Sequence, residues 1–330
     1  MSQPKYSVER TSVDGIDVVR LSDAAHHAEV SIAPGIGNMA YDMKVNGKPV
    51  FWSPYQSVAE LKRRPTFLGI PFLAPWANRL DREGFYANGK NYVFNPNLKN
   101  YRGDQNKHPI HGLITYSPDW QVAEARADNN AAWVTSRFEF WRYPDLMAQF
   151  PFAHTIEMTY RLHDGALEVR TSIENHSKEK MPLAIGYHPY FRLPDSKRDA
   201  WRVHIAAKDH VVLSPQLIPT GERKPVELPD PVSLASTQLD DVFTNLVHGA
   251  DGRAEFWVDD GARRITVTYG PSYPVAVVYA PPGRDFICFE PMTAVTNAFN
   301  LAHEGKYPEL PSIAPGAKWQ ESYWIKTSGY

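Results

Sequence analysis

The feature that most constrains the fold is a regular alternation of apolar and polar residues, which begins near Phe138 and is clearest at residues 156–162 and 166–173. Successive side chains of a β-strand point to opposite faces, so this period indicates strands with one buried face. A His-Asp-Gly sequence at 163–165 supplies a turn between the two runs. Together they predict an antiparallel hairpin with one packed face and one wet face.

Three further hairpins are predicted by turn sequences between strand-like runs. Asn-Gly dipeptides, which tolerate the positive φ angles of a type I′ turn, occur at 46–47 and 88–89, and Asp-Asp-Gly occurs at 259–261. Later strands are predicted at residues 201–206, 275–280, 285–289 and 318–326. Many short strands separated by Gly, Pro and Asp are typical of an antiparallel sandwich or barrel.

Helical signal is slight. Residues 57–63 predict one short helix, capped by Ser57 and ending before Pro65, because the residue before a proline avoids the α region. The chain has 28 prolines and lacks an internal repeat or low-complexity linker. We therefore expect an all-β fold, a large antiparallel β-sandwich, as one domain over residues 1–330, with the proline-rich stretch 214–237 as a surface excursion.

Charge and composition exclude several classes of protein. Lys and Arg number 35 against 37 Asp and Glu, so no basic field is present to hold nucleic acid. No apolar stretch is long enough to span a bilayer, and the N-terminal MSQPKYSVER has no signal-peptide core, so we expect a cytoplasmic protein without a membrane partner. The single cysteine, Cys288, cannot form an internal disulfide and is interpreted as a small buried hydrophobe.

Two local motifs place polar residues after rigid or turn-forming sequence. An apolar, proline-stiffened segment ends in Asn78 and Arg79, which project an amide and a guanidinium fork; a surface ion pair is the simpler alternative for Arg79. His108 and His111 have a spacing that suggests a metal pair. Pro109 forbids a regular helix there and no third ligand lies nearby, so we expect structural histidines and no metal.

Two other motifs offer groups for proton transfer. His188 lies between aromatic residues, where packing can hold the ring and leave a nitrogen free; a packed core histidine is the alternative. Glu290 ends an otherwise apolar strand. Because burying an unpaired carboxylate is costly, Glu290 should either have a partner or act as a base whose pKa is raised by the site. The neighbouring carboxylates Asp240 and Asp241 are most simply a turn feature.

The ordered motifs NRL, HPIHGL, GYHPYFRL, LDDVF and FEPMT resemble those of the aldose 1-epimerase (galactose mutarotase-like) family, across residues 18–326. The resemblance implies a large antiparallel β-sandwich, of the galactose mutarotase-like type, whose cleft holds a free hexose. It further implies that His188 is the general acid and Glu290 the general base.

The same resemblance assigns the sugar-binding residues. Arg79, preceded by Asn78, matches the family's sugar-contacting arginine, and His111 matches the histidine of its His-Gly motif. The binding aspartate falls in LDDVF, where spacing to Phe243 favours Asp240 and leaves Asp241 open. Pro189 after the general acid and Ala-Pro-Trp before Asn78 depart from many galactose mutarotases, which leaves the particular sugar open.

Anomer interconversion needs a base for the C1 hydroxyl proton and an acid for the ring oxygen, and requires neither cofactor nor metal. The implied partner is a small-molecule sugar, and the chain is a monomer or a homodimer. Three alternatives remain. A hexose-6-phosphate 1-epimerase would use Lys-Arg-Arg at 62–64 for phosphate, a glycoside hydrolase would pair Glu290 with Asp240, and a non-catalytic protein would only bind or sense carbohydrate.

Overall fold

The structure, a computed structural model, describes residues 4–330. Its strands are β1 (Tyr6–Val13), β2 (Ile16–Asp23), β3 (Ala28–Ala33), β4 (Met39–Val45), β5 (Lys48–Pro49), β6 (Phe72–Leu73), β7 (Gly84–Ala87), β8 (Lys90–Val93), β9 (Arg102–Gly103), β10 (Pro109–Ile110), β11 (Gln121–Ala127), β12 (Ala132–Glu139), β13 (His154–His163), β14 (Ala166–Asn175), β15 (Met181–Pro182), β16 (Gly186–Tyr187), β17 (Tyr190–Phe191), β18 (Arg202–His204), β19 (Ala207–Leu213), β20 (Pro219–Pro225), β21 (Val232–Ser233), β22 (Leu239–Leu246), β23 (Ala254–Asp259), β24 (Arg264–Tyr269), β25 (Val275–Ala280), β26 (Ile287–Met292), β27 (Ser312–Ile313) and β28 (Lys318–Ser328). The α-helices are α1 (Val58–Arg63), α2 (Pro144–Gln149) and α3 (Ala298–His303), and single 3-10 turns occupy Pro96–Leu98, Phe140–Arg142 and Arg198–Ala200.

Three antiparallel sheets form the body of the protein. A nine-stranded sheet has the order β11-β12-β13-β14-β28-β24-β23-β18-β21. An eight-stranded sheet has the order β20-β19-β22-β25-β26-β16-β6, with β17 paired on β26, and β1 to β5 form a five-stranded sheet in sequence order. In the described part of the chain, no helix is both long and apolar enough to cross a membrane.

The hydrophobic core lies between these sheets. The nine-stranded and eight-stranded sheets meet where Tyr187 of β16 packs against Tyr323 of β28, with ring centroids 4.9 Å apart, and where Phe256 of β23 approaches Phe289 of β26. Strands β1 and β2 contact β12 on the nine-stranded sheet, and residues of all three sheets belong to one continuous buried cluster. Face-to-face packing of antiparallel sheets confirms the predicted β-sandwich.

The four predicted hairpins are all present. Asn46-Gly47 joins β4 to β5 and Asn88-Gly89 joins β7 to β8, each with positive φ at both turn residues, as a type I′ turn requires. The long pair β13–β14 turns at Asp164-Gly165, and β23–β24 form the fourth hairpin. Local turn chemistry therefore specified these pairings correctly.

Other predicted elements are confirmed with changed bounds. Helix α1 begins after Ser57, whose hydroxyl accepts a hydrogen bond from the Glu60 amide, and ends at Arg63. The strand predicted at 201–206 is shorter, as β18, and the strand predicted at 285–289 is β26, which continues two residues beyond Glu290. The excursion at 214–237 is largely exposed, but it also contributes the edge strands β20 and β21.

A buried histidine makes the fold sensitive to acid. His154 is the first residue of β13 and is buried, with its ring centroid 4.3 Å from that of Phe140. Its Nδ1 is 2.6 Å from the Phe152 carbonyl oxygen, to which it can donate. Burial lowers the pKa of His154 from 6.5 to about 4, because charging the ring in the core is costly. The unfolded chain therefore takes up this proton at a higher pH than the folded chain does.

Replacing His154 by phenylalanine should flatten the pH dependence of stability. Between pH 6.5 and 4 the free energy of unfolding falls as protons bind the unfolded state, by about 2 kcal/mol at pH 5 from this histidine alone. Urea unfolding at pH 7 and pH 5 should give a smaller difference for the variant than for the wild type. The exposed His248→Phe variant is the matched control, and an unchanged difference for His154→Phe would contradict the assignment.

Candidate active site

The register of the eight-stranded sheet sets His188 beside Glu290. Gly186 of β16 pairs with Met292 of β26, and Tyr190 of β17 pairs with Cys288 of the same strand. His188 therefore falls between the two ladders, level with Glu290. Pro189 has no amide hydrogen to donate to the ladder with β26, and it separates β16 from β17. The amide of His188 does not bond to β26 but donates to the Pro71 carbonyl oxygen, at 3.0 Å.

The two side chains form a close and buried pair. Nε2 of His188 lies 3.3 Å from Oε1 of Glu290, and the two residues are only 7% and 1% exposed. The pKa of Glu290 is raised well above its usual value, first by burial and then by the nearby Asp240 carboxylate. Burial, with the charges of Arg102 and Arg79, lowers the pKa of His188 to about 3.

The pKa values of the two groups are shifted in opposite directions. A free imidazole has a pKa of about 6.5, close to neutral pH, whereas the pKa of His188 lies far below it. The buried environment disfavours the charged form of both His188 and Glu290. The pair is therefore most stable with the carboxyl protonated and the imidazole neutral.

A loop holds Arg79 at the edge of the pair. Asn78 adopts a positive φ of 54°, and the segment that follows runs antiparallel to β10, with Arg79 bridged to Ile110. The guanidinium Nε of Arg79 donates to Oδ2 of Asp104 at 2.7 Å. Asp104 is itself fixed, because its other carboxylate oxygen accepts from the backbone amides of Asn106 and His108. Asp104 was not among the predicted site residues, because it lies 25 residues from Arg79 in the chain.

His111 lies next to the pair on a strained turn. It has a φ of 62°, and its ring centroid is 5.6 Å from that of His188. Burial lowers the pKa of His111 well below 6.5, and the neighbouring His188 lowers it further. Gly112 is required after it, because a Cβ there would lie 2.1 Å from the Ala74 carbonyl oxygen. Asn78 is also buried, and its amide nitrogen faces the Met292 sulfur at 3.6 Å.

The structure separates the two neighbouring aspartates. Asp240 of β22 pairs in register with Tyr279 of β25 and is close enough to Glu290 to raise the pKa of that carboxyl. Although Asp240 is exposed at the surface, partial desolvation raises its pKa, and the nearby Arg79 lowers it. Asp241 lies outside this group, with Oδ1 2.9 Å from Nε2 of His210.

Arg79, His111, His188, Asp240 and Glu290 are called the acid–base cluster below. Aromatic side chains wall the cluster. Tyr190 stacks on His188 at 4.8 Å between ring centroids, with an interplanar angle of 6°, and Phe67 lies 5.2 Å from the same imidazole. Trp52 and Phe286 extend the wall beyond Tyr190. None of these contacts was predicted from the sequence, apart from the general expectation that His188 is held between aromatics.

Three buried atoms of the cluster have no hydrogen-bond partner within residues 4–330: Nδ1 of His111, Nδ1 of His188 and Oε2 of Glu290. Leaving buried polar atoms unpaired costs free energy, so such atoms indicate a place where a ligand supplies the missing partners. The same described range contains no group of three or more His, Cys, Asp or Glu residues arranged to hold a metal ion. His188 and Glu290, an imidazole and a carboxyl group 3.3 Å apart, can exchange protons with a ligand bound beside them.

The chain is thus an antiparallel β-sandwich with a buried imidazole–carboxylate pair, and an arginine and a second histidine lie beside that pair. Residues 18–326 match the aldose 1-epimerase family, and the chain belongs to that family.

Solved structures and a curated relative are similar to this chain. A galactose mutarotase-like protein from Clostridium acetobutylicum is similar with a TM-score of 0.87 at 23% identity, covering 99% of each chain. The galactose 1-epimerase of Lactobacillus acidophilus NCFM is similar with a TM-score of 0.75 at 16% identity, again over 99% of each chain. The uncharacterized protein YphB of Escherichia coli K12 is 23% identical over 255 residues, which cover 74% of this chain and 78% of YphB. At these identities the structural matches establish the fold, which is the predicted galactose mutarotase-like sandwich.

Proposed function

We propose that this protein is an aldose 1-epimerase that interconverts the α and β anomers of a free hexose in the cleft of the sandwich. The observation that carries the proposal is the buried pair of His188 and Glu290, 3.3 Å apart, with polar atoms left unpaired beside it. Membership of the aldose 1-epimerase family supports the same reaction. Two groups that exchange protons at short range are the minimum machinery for opening a sugar ring.

In each ring opening, one proton moves from the sugar to the protein and another moves from the protein to the sugar. The reacting form is the ionised pair, which burial makes less stable than the neutral pair. In this form Glu290, as the carboxylate, removes the proton of the C1 hydroxyl, while His188, as the imidazolium, gives a proton to the ring oxygen. The C1–O5 bond then breaks and leaves an open-chain aldehyde. Rotation about the C1–C2 bond exposes the other face of the carbonyl. Reclosure reverses both transfers and restores the protonation of the pair, so no net proton is gained or lost.

Burial stabilises the ring-opened state of this reaction. When the ring is open, Glu290 is a carboxylic acid and His188 a neutral imidazole, which is the state that the buried site favours through both pKa shifts. The site therefore lowers the free energy of the ring-opened state relative to the same transfers in water. Because Glu290 gains one proton from the sugar while His188 gives another to it, the net charge of the pair does not change.

Arg79, His111 and Asp240 supply the fixed contacts that orient the sugar. Arg79 is held at Nε by Asp104, which leaves its terminal nitrogens for hydroxyl oxygens. His111 contributes an unpaired Nδ1, and Asp240 is an acceptor on the Tyr279 side of the cleft. Holding the sugar ring in a single orientation lowers the entropic part of the activation barrier to ring opening.

The alternatives have less support. Lys62, Arg63 and Arg64, the candidates for phosphate binding, are exposed at the end of α1, where the Arg64 guanidinium packs 5.6 Å from the ring centroid of Tyr55. A glycoside hydrolase would pair Glu290 with Asp240, but that scheme gives no task to the imidazole of His188, which lies 3.3 Å from Glu290. A protein that only binds sugar has no need of an acid and a base in contact.

Anomer exchange measured by NMR tests the proposal directly. Equilibrated glucose, galactose and their 6-phosphates are compared with and without the purified protein, and with the His188→Asn variant as the inactive control. We expect faster exchange of a free sugar, lost in the variant. Acceleration of the 6-phosphates alone would favour the hexose-6-phosphate 1-epimerase, and acceleration of no sugar would contradict catalysis.

Replacing Arg79 by alanine should raise the KM for the preferred sugar by about tenfold to a hundredfold, with a smaller change in kcat. The reason is that Arg79 contacts the bound sugar and takes no part in either proton transfer. Initial rates of anomer exchange over a range of sugar concentrations separate the two constants. Arg82→Ala, in an exposed ion pair on the same loop, is the control. An unchanged KM in Arg79→Ala would overturn this role.

A further inference from the structure

The short hairpin β9–β10 sets a second arginine beside the acid–base cluster. Ile110 of β10 pairs with Arg102 of β9 on one side, and on its other side it is bridged to Arg79. Residues that lie directly opposite each other on neighbouring strands project to the same face of a sheet. Two guanidinium groups therefore flank the segment that carries His111.

The guanidinium of Arg102 lies one aromatic ring away from both histidines of the cluster. Its central carbon is 4.3 Å from the ring centroid of Phe67. That centroid is in turn 5.1 Å from the ring of His111 and 5.2 Å from the ring of His188. The side chain of Arg102 is exposed, and a guanidinium that packs on an aromatic ring keeps N–H groups for hydrogen bonds to a ligand.

Arg102 lies at the histidine end of the cluster. Burial lowers the pKa of both histidines, and Arg102 is among the charges that lower it further. Burial raises the pKa of Glu290, and the charges that act on that carboxyl are those of Asp240 and Arg79. The cluster therefore has Arg102 beside its histidines and an acidic side chain, Asp240, beside Glu290.

The two arginines differ in their acidic partners. Arg79 is neutralised by Asp104, at 2.7 Å, whereas Arg102 forms no ion pair with an acidic side chain of residues 4–330. Asp119 and Asp145 line the same surface cavity as Arg102, but neither pairs with it. The positive charge of Arg102 is therefore available to an anionic group on a bound sugar.

The chemistry of ring opening decides which part of the sugar comes near Arg102. The ring oxygen is bonded to C1 and to C5, and C5 carries C6. When the C1 hydroxyl lies at Glu290 and the ring oxygen at His188, C5 and C6 extend to the side of His188 that faces away from Glu290. The substituent at C6 is therefore the one directed towards Phe67 and Arg102.

We propose that Arg102 binds a carboxylate at C6, so that the preferred substrates are hexuronic acids, the hexoses in which C6 is a carboxylate. The inference rests on the proposed function and names the substrate class of the same site. A hexuronic acid keeps its C1 hydroxyl and ring oxygen, so the proton transfers of His188 and Glu290 are unchanged. A carboxylate has one negative charge and accepts two parallel hydrogen bonds from a guanidinium. A 6-phosphate has a charge of about −1.5 to −2 at pH 7, which exceeds the single charge of Arg102.

The test compares each hexose with its uronic acid and its 6-phosphate. Glucose is paired with glucuronate, and galactose with galacturonate, in NMR measurements of anomer exchange at pH 7, with the uncatalysed rate of each sugar subtracted. We expect kcat/KM for at least one hexuronate to exceed that of its hexose by about tenfold. Added salt should lower this ratio, because it screens the attraction between a carboxylate and an exposed guanidinium.

A charge-removing variant assigns the preference to Arg102. Arg102→Gln keeps a long side chain with an N–H donor but has no charge, so it should reduce the ratio of the two kcat/KM values to about one. Lys107→Gln removes an exposed positive charge from the loop between β9 and β10, and this matched control should retain the ratio.

Each outcome bears on a different statement. Turnover of glucose and galactose without a preference for either uronic acid would overturn the role of Arg102 and leave the proposed function intact. A preference that survives in Arg102→Gln would also overturn it, because another group would then bind the carboxylate. Faster turnover of the 6-phosphates than of the hexuronates would overturn the carboxylate as the bound anion. Failure to accelerate any of these sugars would overturn both the inference and the proposed function.

Discussion

Replacing Glu290 by glutamine should lower kcat for anomer exchange by about a thousandfold. Glutamine has nearly the same shape and can still bond to a sugar hydroxyl, but it cannot take a proton from C1. Sugar affinity should change much less than kcat, because the side chain fills the same place in the core of β26. Saturating sugar in the NMR exchange measurement isolates kcat from binding.

The same substitution should leave the fold intact. Burial raises the pKa of Glu290, so a neutral amide is no less suited to this position than the carboxyl group. Urea unfolding at pH 7 should therefore give a free energy of unfolding equal to or above that of the wild type. Glu309→Gln, which removes a surface ion pair with Arg223, is the matched control for both measurements. A kcat for Glu290→Gln within about threefold of the wild-type value would remove Glu290 from the role of base.

The sequence predicted those features that depend on neighbouring residues. Asn-Gly turns at 46–47 and 88–89 specify hairpins because the required backbone angles are local properties of those residues. The capped helix α1 and the alternating strands β13 and β14 follow from the same kind of short-range signal. The β-sandwich was predicted because many short amphipathic strands have few other ways to bury their apolar faces.

The details of the site depend on contacts between distant parts of the chain. Asp104 fixes Arg79 from 25 residues away, and no pattern in the sequence joins the two. The different positions of Asp240 and Asp241 follow from the pairing of β22 with β25 and from His210, neither of which is visible in the motif itself. The lowered pKa of His188 likewise requires knowledge of how deeply the ring is buried and of the arginines near it.

Replacing His188 by asparagine should also lower kcat by about a thousandfold, because the ring oxygen would then leave without a proton donor. Asparagine keeps a side chain that can hydrogen-bond, so the loss reports proton transfer more than packing. The exposed His248→Asn is the control for the change of side chain. Exchange rates are compared at saturating sugar, with the uncatalysed rate subtracted.

The double variant His188→Asn/Glu290→Gln distinguishes a concerted pair from two independent groups. Ring opening needs both transfers, since removing the C1 proton without protonating O5 leaves an alkoxide as the leaving group. Losing either partner should therefore remove most of the catalysis, and the double variant should be within about tenfold of the slower single variant. A further loss of about a hundredfold or more would mean that the two groups contribute independently, and would contradict the concerted pair.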